Sequence, residues 1–460
     1  MTAAQPFRPW APKPLPKPPG MAKLVWLLAR NPLLVWSEAH YDLPVLYGEN
    51  RYRRVISLQD PEAIQRVLID NVGGYIKGPI QRRILGPLLG DGLLTTEGEP
   101  WRRTRRTVAP LFTPRRVAAQ AGQMAAAVNR TLTQWRTLPS GAVVDLEQAM
   151  SRLTFDILSE TLFSGEIGED AAAFERTLNT AVSTLGRPDP LDVLGAPGWL
   201  PRPTRVAGMP SVRRFGRLVE GIVAARRARV AADPASAPDD LLTALLRAQD
   251  PETGAGLSDA EVQSNVLTFI LAGHETTARA LGWTLYLLSR APDVRAEVER
   301  EADAGEDPAG DWPEARPWTR AALEESMRLF PPAAGFTRQA TADDVLAGQP
   351  IRAGTVVLIT PWVIHRHRRL WDDPAAFRPE RFLPGAREAI DRHAYLPFGG
   401  GPRICIGARF ALLEAVIALS LIAREFRLTP TTAREPRPVH HVTLRSDRGL
   451  PMRLERRPGA

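Results

Sequence analysis

Apolar residues recur at intervals of three and four positions along most of the chain, which is the period of an amphipathic helix. This pattern predicts helices over residues 61–69, 117–135, 146–163, 316–329 and 407–425. The longest predicted helix spans residues 258–290, where Ser258 and Glu261 have the spacing of a capping box. At 1.5 Å per residue, such a helix is about 45–50 Å long and can cross a whole domain.

Strand-like sequence is confined to two zones. Residues 351–361 contain a run of β-branched residues that predicts a strand, and residues 442–444 and 452–454 predict a hairpin-like tail. Five prolines and four glycines interrupt residues 185–209, which predicts a long loop between helices.

The chain shows no internal repeat and no change of composition that marks a domain boundary. We therefore expect a proline-rich segment at residues 1–20 and a single domain at residues 21–460, mainly α-helical with small β-sheets (an α+β fold). The apolar stretch at residues 24–36 is interrupted and shorter than the roughly 20 residues of a spanning helix. With no secretory signal visible, we expect a cytoplasmic protein without a transmembrane anchor.

The net charge is +8, and nearly all of the basic residues are arginine, because the lysines are only Lys13, Lys17, Lys23 and Lys77. The arginines lie in short clusters without a recognition module, so we expect no nucleic-acid binding. A basic surface that docks an acidic protein partner is the better interpretation. The single cysteine, Cys405, excludes a disulfide scaffold, a four-cysteine iron–sulfur cluster and a zinc knuckle.

Cys405 follows a run of three glycines and precedes a long apolar helix. The glycines allow the backbone to lie flat against a planar ligand, and we expect Ile404 and Ile406 to exclude water. A thiolate at a helix start gains from free N–H groups and the helix dipole, as an axial ligand of haem iron requires. These features leave two alternatives open, an iron ligand and a small buried hydrophobic residue.

Residues 398–407 read Phe-Gly-Gly-Gly-Pro-Arg-Ile-Cys-Ile-Gly. This segment resembles the haem-binding loop of the cytochrome P450 superfamily, Phe-Gly-x-Gly-x-Arg-x-Cys-x-Gly, at every specified position. The resemblance implies that Cys405 is the axial thiolate of haem b and that Phe398 and Arg403 also bind the cofactor. It further implies the cytochrome P450 fold, with the long central helix over the haem, and it covers roughly residues 40–455.

Glu325 and Arg328 share one face of a predicted helix. Alone, they could form a surface ion pair worth less than about 1 kcal/mol. The resemblance implies a buried structural pair, joined by the arginine of a Pro-x-Arg-Phe segment, which here is Arg381. Such a triad fixes geometry more than it adds stability, and we expect it to lock the loop region that holds the thiolate.

Residues 272–277, Ala-Gly-His-Glu-Thr-Thr, lie near the centre of the long helix, where glycine and threonine are unfavourable. A zinc site of the His-Glu-x-x-His type is excluded, because Ala278 stands in place of the second histidine. The resemblance implies that Glu275 and Thr276 form an acid–alcohol pair in an oxygen pocket, supported by Thr277. A core helix of unusual composition is the alternative.

Trp101 and Arg105 are four residues apart at the start of a predicted helix and can converge on an anion. We expect the arginines between and after them to form a solvent-exposed basic face. The resemblance implies that Trp101 and Arg105 bind a haem propionate, together with Arg403 and Arg338.

The resemblance implies a bacterial-type monooxygenase that uses O2 and two electrons to oxidise a small apolar substrate such as a lipid, fatty acid or terpenoid. The segments expected to contact the substrate are residues 73–95, 185–209, 269–272 and 333–336. Because the chain has one cysteine and no reductase motif, a ferredoxin or flavodoxin with its reductase must supply the electrons. A peroxide-using or substrate-rearranging haem–thiolate enzyme and a non-catalytic haem sensor are the alternatives, and the Glu275–Thr276 pair disfavours both.

Overall fold

The computed structural model describes residues 5–50, 53–166, 203–304 and 311–458, together with positions 174, 176–178, 180 and 181. Helices dominate these ranges. The α-helices are Met21–Arg30, Glu38–Asp42, Pro61–Gln65, Pro79–Leu89, Gly98–Val108, Pro114–Ala118, Ala121–Arg136, Leu146–Phe163, Pro203–Ala232, Leu241–Arg247, Asp259–Arg290, Pro292–Asp303, Trp312–Ala315, Pro317–Leu329, Pro361–Ile364 and Ala408–Glu425. The mainly α-helical prediction is confirmed.

Short strands form small sheets beside the helices. They are β1 (Val45–Asn50), β2 (Arg53–Leu58), β3 (Tyr75–Lys77), β4 (Val143–Asp145), β5 (Phe336–Ala340), β6 (Asp344–Leu346), β7 (Gln349–Ile351), β8 (Val356–Ile359), β9 (Phe426–Pro430), β10 (Pro438–His440), β11 (Leu444–Ser446) and β12 (Pro451–Arg456). The largest sheet has the order β1-β2-β8-β5-β3, in which β2 and β8 run parallel. Antiparallel pairing of β3 with β5 places Lys77 directly opposite Arg338.

The helices predicted at residues 146–163, 258–290, 316–329 and 407–425 are confirmed to within one residue at each end. Ser258 caps the central helix, Asp259–Arg290, and exchanges hydrogen bonds with Glu261 as the capping-box spacing predicts. The prediction for residues 61–69 is met by an α-helical turn that continues as a π-helix, Arg66–Asp70. Residues 117–135 instead form the end of one helix and most of the next.

Several sequence predictions are wrong. Residues 203–209 begin a helix rather than continue a loop, because proline is tolerated in the first turn, where its missing N–H has no helical partner. The remainder of that predicted loop, residues 185–202, lies outside the described residues. Residues 351–361 contain the end of β7 and the whole of β8, not one strand.

Another error concerns the C-terminal tail. Residues 442–444 and 452–454 do not pair with each other, because β11 pairs with β10 while β12 pairs with β9 and β4. Strands β1 to β6, β9 and β10 were also missed, since strands were expected only in two zones that do not contain them. The pairings of β2 with β8 and of β4 with β12 join distant parts of the chain, and local periodicity does not report them.

The central helix is buried on nearly all sides from His274 to Leu288. The helices Leu146–Phe163, Pro317–Leu329 and Ala408–Glu425 contribute to the apolar core around this second half. Its buried side chains include His274, Glu275 and Arg279, and buried polar groups need hydrogen-bond or ion-pair partners inside the protein. Ala272 is exposed beside a cavity instead, so the burial of the helix is interrupted at that point.

The proline-rich start of the chain lies against the body of the protein. The carbonyl of Phe7 accepts a hydrogen bond from the N–H of Phe377 at 2.8 Å. Leu15 donates to the carbonyl of Trp36 and accepts from the N–H of Glu38, each at 2.9 Å. Among the described residues, no helix has both the length and the apolar composition needed to cross a bilayer.

Candidate active site

A cavity of about 1000 Å³ separates the central helix from residues 398–407, here called the cysteine loop, and from the largest sheet. The residues singled out from the sequence that line it are Trp101, Arg105, Glu275, Thr276, Arg338, Phe398, Arg403 and Cys405. Glu325, Arg328 and Arg381 lie behind the lining. The structure therefore brings together the residues expected at a cofactor and sets apart those expected to support them.

The cysteine loop is held in a fixed shape that presents the thiol to the cavity. The N–H of Cys405 donates to the carbonyl of Phe398 at 2.9 Å, and the side chain of Cys405 is accessible from the cavity. Gly401 has φ of 67°, and a Cβ atom there would overlap the backbone oxygen of Leu68. Glycine is therefore required at this position of the loop.

Burial and nearby positive groups have opposite effects on the pKa of the Cys405 thiol. Burial raises its pKa, whereas the N–H of Gly407 and the charge of Arg105 favour the thiolate. A metal cation at Sγ would favour the thiolate further. Of the flanking isoleucines expected to exclude water, Ile406 packs against the core, while Ile404 is 43% exposed.

Arg328 is fully buried, and each of its nitrogens is hydrogen-bonded. Nε and Nη2 donate to the Glu325 carboxylate at 2.7 and 2.8 Å. Nη1 donates to the carbonyls of His365 and Pro374 at 2.7 and 2.8 Å. Nη2 also donates to the carbonyl of Ala376 at 2.9 Å. All five N–H donors of the guanidinium are thus used, which makes its burial possible.

Arg381 is bound more loosely than the resemblance implied. Its Nε lies 3.6 Å from Glu325 Oε1, which is an ion-pair distance beyond hydrogen-bonding range. Its Nη2 donates to the carbonyl of Asp373 at 2.9 Å, and the backbone N–H of Arg378 occupies Glu325 Oε1 at 2.8 Å. The structure contains a tight Glu325–Arg328 pair with Arg381 at its edge.

His365 connects this pair to the cysteine loop. Its Nδ1 lies 3.2 Å from the carbonyl of Arg328, and its Nε2 accepts from the N–H of Leu396 at 2.8 Å. Burial lowers the pKa of His365 to about 3, so the ring is neutral, and the bond from Leu396 assigns the proton to Nδ1. Leu396 stands two residues before Phe398. His365 was not predicted from the sequence, since no motif marks it.

A cationic group surrounds the single carboxylate of Glu97. Arg403 pairs with Glu97, and its guanidinium lies 4.0 Å from the centre of the Trp101 ring. The N–H of Lys77 donates to Glu97 Oε1 at 3.0 Å. Arg105 also lines this side of the cavity and makes no hydrogen bond through its guanidinium within the described part of the chain.

The positive charges of Lys77, Arg105, Arg338 and Arg403 outnumber the one carboxylate of Glu97. Burial, together with Arg403 and Arg338, lowers the pKa of Lys77 to about 7. Burial and Arg403 lower the pKa of Arg338 to about 10. Four cations against one carboxylate leave room for further negative charge, and the two propionates of a haem would supply it. Lys77 was not predicted from the sequence, although its rarity as one of four lysines could have indicated it.

Glu275 is held in a buried charge network. Its Oε1 accepts from Arg445 Nε at 2.8 Å and lies 3.4 Å from Arg279. Burial raises the pKa of Glu275, but Arg445 and Arg279 outweigh it, and the net effect lowers the pKa. Among the described residues, Oε2 has no hydrogen-bond partner. Arg445 was missed because it lies 170 residues away in the chain.

Thr276 presents its side chain to the cavity. Its hydroxyl donates to the carbonyl of Ala272, four residues earlier, at 2.6 Å. The lone pairs of that hydroxyl are available to a water or another donor. Thr277 also reaches the lining, and its hydroxyl has no partner within the described ranges.

Comparison with known proteins identifies this arrangement. The cytochrome P450 family model matches residues 13–450. The chain belongs to the cytochrome P450 family. The predicted family, fold and class of enzyme, a cytochrome P450 monooxygenase, are confirmed, and the family implies haem as the prosthetic group. The match begins inside the proline-rich segment, earlier than the resemblance indicated.

Individual cytochromes P450 resemble the chain over nearly its full length. It is 34% identical to cyclooctatin synthase of Streptomyces melanosporofaciens, covering 96% of each chain. It is 33% identical to cyclooctat-9-en-7-ol 5-monooxygenase of the same organism, covering 93% of this chain and 92% of the relative. The crystal structure of the cytochrome P450DA haem domain matches with a TM-score of 0.82 at 27% identity, covering 97% and 98% of the two chains.

Replacing Arg328 with lysine tests the buried pair. Lysine keeps the charge but cannot reproduce the planar set of five donors, so carbonyls that now accept from Arg328 would lose their partners. We expect Arg328→Lys to lower the free energy of unfolding by about 3–5 kcal/mol, measured by denaturant titration. The matched control is Arg300→Lys, an exposed arginine paired with Glu297, which should change it by less than about 0.5 kcal/mol. Equal stability of the two variants would contradict this assignment.

Proposed function

We propose that this cytochrome P450 uses O2 and two electrons from a separate donor to insert one oxygen atom into an apolar substrate, with a terpenoid as the favoured class. One observation supports it above all. The single thiol of the chain and the hydroxyl of Thr276 line the same largely apolar cavity, beside cations suited to an anionic cofactor.

The proposed cofactor is haem b. Cys405 would hold its iron, and the side chains that would hold its propionates are Lys77, Trp101, Arg105, Arg338 and Arg403. When bound, the haem supplies the reductive activation of dioxygen. Phe398 would pack beside it, while the Glu325–Arg328 pair and Arg381 act only by fixing the loops.

Thr276 and Glu275 have the proposed role of proton delivery. The Thr276 hydroxyl can hold a water in the cavity, since its own proton is already committed to Ala272. Glu275 can accept and return a proton at Oε2, because Oε1 is held by Arg445 and Oε2 has no partner in the described chain. These side chains would thereby control where protons reach reduced oxygen.

The substrate region is apolar along three of the predicted segments. Lining residues from these segments include Ile84, Leu93, Phe269, Leu271, Ala334 and Phe336. The fourth predicted segment, residues 185–209, lies mostly outside the described residues. The related cyclooctat-9-en-7-ol 5-monooxygenase supports an apolar substrate of the terpenoid class for this chain as well.

Cys405→Ala tests the iron ligand by optical spectroscopy. A thiolate-ligated haem absorbs far to the red of a histidine-ligated one in its reduced carbon monoxide complex. We expect the wild-type protein to show that band and Cys405→Ala to lose it. Ile404→Ala is the matched control, because this exposed neighbour should leave the band in place. A Cys405→Ala variant that retains the band would refute the assignment.

Thr276→Ala tests proton delivery. The variant should bind substrate and unfold almost as wild type does, because one half-buried hydroxyl contributes about 1 kcal/mol. Without that hydroxyl, protons reach reduced oxygen in the wrong place, so more electrons should leave as hydrogen peroxide. The measurement is product formed per reduced nicotinamide consumed, with peroxide assayed in parallel.

Thr277→Ala is the control for this experiment. It should keep the wild-type ratio of product to reduced nicotinamide. If Thr277→Ala loses the ratio while Thr276→Ala keeps it, the alcohol has been assigned one residue too early. If neither variant changes the ratio, neither threonine delivers protons.

A basic surface near the thiol side of the cavity is the proposed docking site for the electron donor. Arg115 and Arg116 lie on the short helix Pro114–Ala118, which packs against the helix Ala408–Glu425. Arg409 lies in the first turn of this second helix. All three are exposed, and none forms an ion pair with another described residue. An acidic ferredoxin or flavodoxin would complement this surface.

Charge reversal tests the docking surface. With a separate reductase and an acidic carrier, we expect turnover to fall as added salt screens the attraction. Arg116→Glu should raise the apparent KM for the carrier several-fold at low salt and leave substrate binding unchanged. The control Arg453→Glu, on β12, should have no effect. Efficient NADPH-driven turnover by the chain alone would contradict the need for a separate donor.

A further inference from the structure

Two histidine side chains line the cavity on the side formed by the N-terminal part of the chain and β10. His40 lies on the helix Glu38–Asp42, and His440 is the last residue of β10. Neither residue belongs to the cysteine loop, to the cations around Glu97 or to the charge network of Glu275. The proposed oxygenation therefore leaves both imidazoles without a role.

Asn31 joins the two parts of this wall. Its side-chain amide donates to the carbonyl of Pro438 at 2.9 Å, and its side-chain oxygen accepts from the N–H of His440 at 3.2 Å. Pro32 and Leu33, which follow Asn31, also line the cavity. Because Asn31 is buried and holds β10 through two hydrogen bonds, residues 31–40 and β10 form one wall of the cavity.

The position of the proton on His40 follows from its hydrogen bonds. The N–H of Ser37 donates to His40 Nδ1 at 3.2 Å, so Nδ1 is an acceptor. Burial lowers the pKa of His40 to about 4, and the neutral ring therefore carries its proton on Nε2. That N–H has no hydrogen-bond partner within the described ranges, and the residue is only partly buried. His40 thus offers the cavity a hydrogen-bond donor.

His440 is also neutral. Burial lowers its pKa to about 4, and the neighbouring His441 contributes to the same shift. Neither ring nitrogen has a hydrogen-bond partner in the described part of the chain, yet the residue keeps some accessible surface. Because the ring is shielded from bulk solvent and lines the cavity, this accessible surface faces the cavity. A neutral imidazole carries one donor and one acceptor, and His440 offers both.

The arrangement does not suit a metal ion or an anion. Among the described residues, no three His, Cys, Asp or Glu side chains are grouped so that they could hold a metal ion. The cations of the described lining all belong to the group around Glu97, namely Lys77, Arg105, Arg338 and Arg403. A carboxylate beside the two histidines would therefore lack a charged partner. Neutral polar groups in a largely apolar wall instead suit a neutral oxygen.

We propose that His40 and His440 bind a hydroxyl or carbonyl group of the substrate, so that the preferred substrate is an apolar molecule that already carries one neutral oxygen function. This inference rests on the proposed function, because it assigns the cavity to the substrate of that reaction. A hydrocarbon that fills the cavity leaves the imidazole N–H groups without an acceptor, which costs binding free energy. A substrate oxygen that accepts one of these bonds removes that cost and fixes the orientation of the substrate.

The test measures binding of three probes to the intact haem-loaded protein by equilibrium dialysis at neutral pH. The probes share one ring and are cyclododecane, cyclododecanone and cyclododecanecarboxylate. We expect the double variant His40→Gln/His440→Phe to raise the Kd for cyclododecanone at least about fivefold, which corresponds to about one hydrogen bond. The Kd for cyclododecane should change by less than about twofold, because this probe makes no hydrogen bond. Glutamine at position 40 can keep the capping-box bond with Ser37.

Val439→Ala provides the matched control. Val439 precedes His440 on β10 and does not belong to the described lining, so this variant should leave the Kd of each probe unchanged. The proposal is overturned if the double variant weakens the ketone and the hydrocarbon equally, if the wild type binds the carboxylate more tightly than the ketone, or if it binds none of the three. Dialysis requires no turnover, so such a failure would be distinct from a failure of the proposed oxygenation, which the product measurement with Thr276→Ala decides.

Discussion

The structure depends on the complete burial of one guanidinium. A charge can be removed from water only if each of its donors finds an acceptor, and Arg328 meets that condition with Glu325 and three backbone carbonyls. Those carbonyls belong to residues 365–376, so the arginine fixes a stretch that has little regular secondary structure. Through His365 and Leu396, the same set of bonds reaches the loop that presents Cys405.

Two clusters of charged side chains lie at the cavity, and they differ in net charge. This difference distinguishes a cluster that supports the structure from one suited to binding a ligand. Glu275 belongs to a network in which two carboxylates meet two guanidiniums, the other members being Glu147, Arg279 and Arg445. The formal charges of that network are balanced without a ligand. The cations around Glu97 are in excess, and mutual repulsion and burial lower their pKa values. A site of this second kind favours an anion.

The sequence predicts those features that are local. Periodic apolar residues locate the central helix and the helix that carries Glu325, and the spacing around Cys405 identifies the family. Pairings between distant segments are not visible in the same way. The partners of β12 and the contact of Arg445 with Glu275 arise only when the chain is folded, so the tail was predicted as a hairpin and Arg445 was overlooked. Lys77 was missed with its strand, because three residues give no detectable period.

The contacts of the first residues have a consequence for biosynthesis. Arg8 forms an ion pair with Asp373, 365 residues later, and Phe7 bonds to the backbone of Phe377, next to a carbonyl that Arg328 holds. At roughly 5–20 residues per second, the ribosome needs about 20–70 s to make the distant partner after the beginning of the chain has emerged. During that interval the N-terminal segment cannot reach its final place. The beginning of this protein is therefore among the last parts to fold.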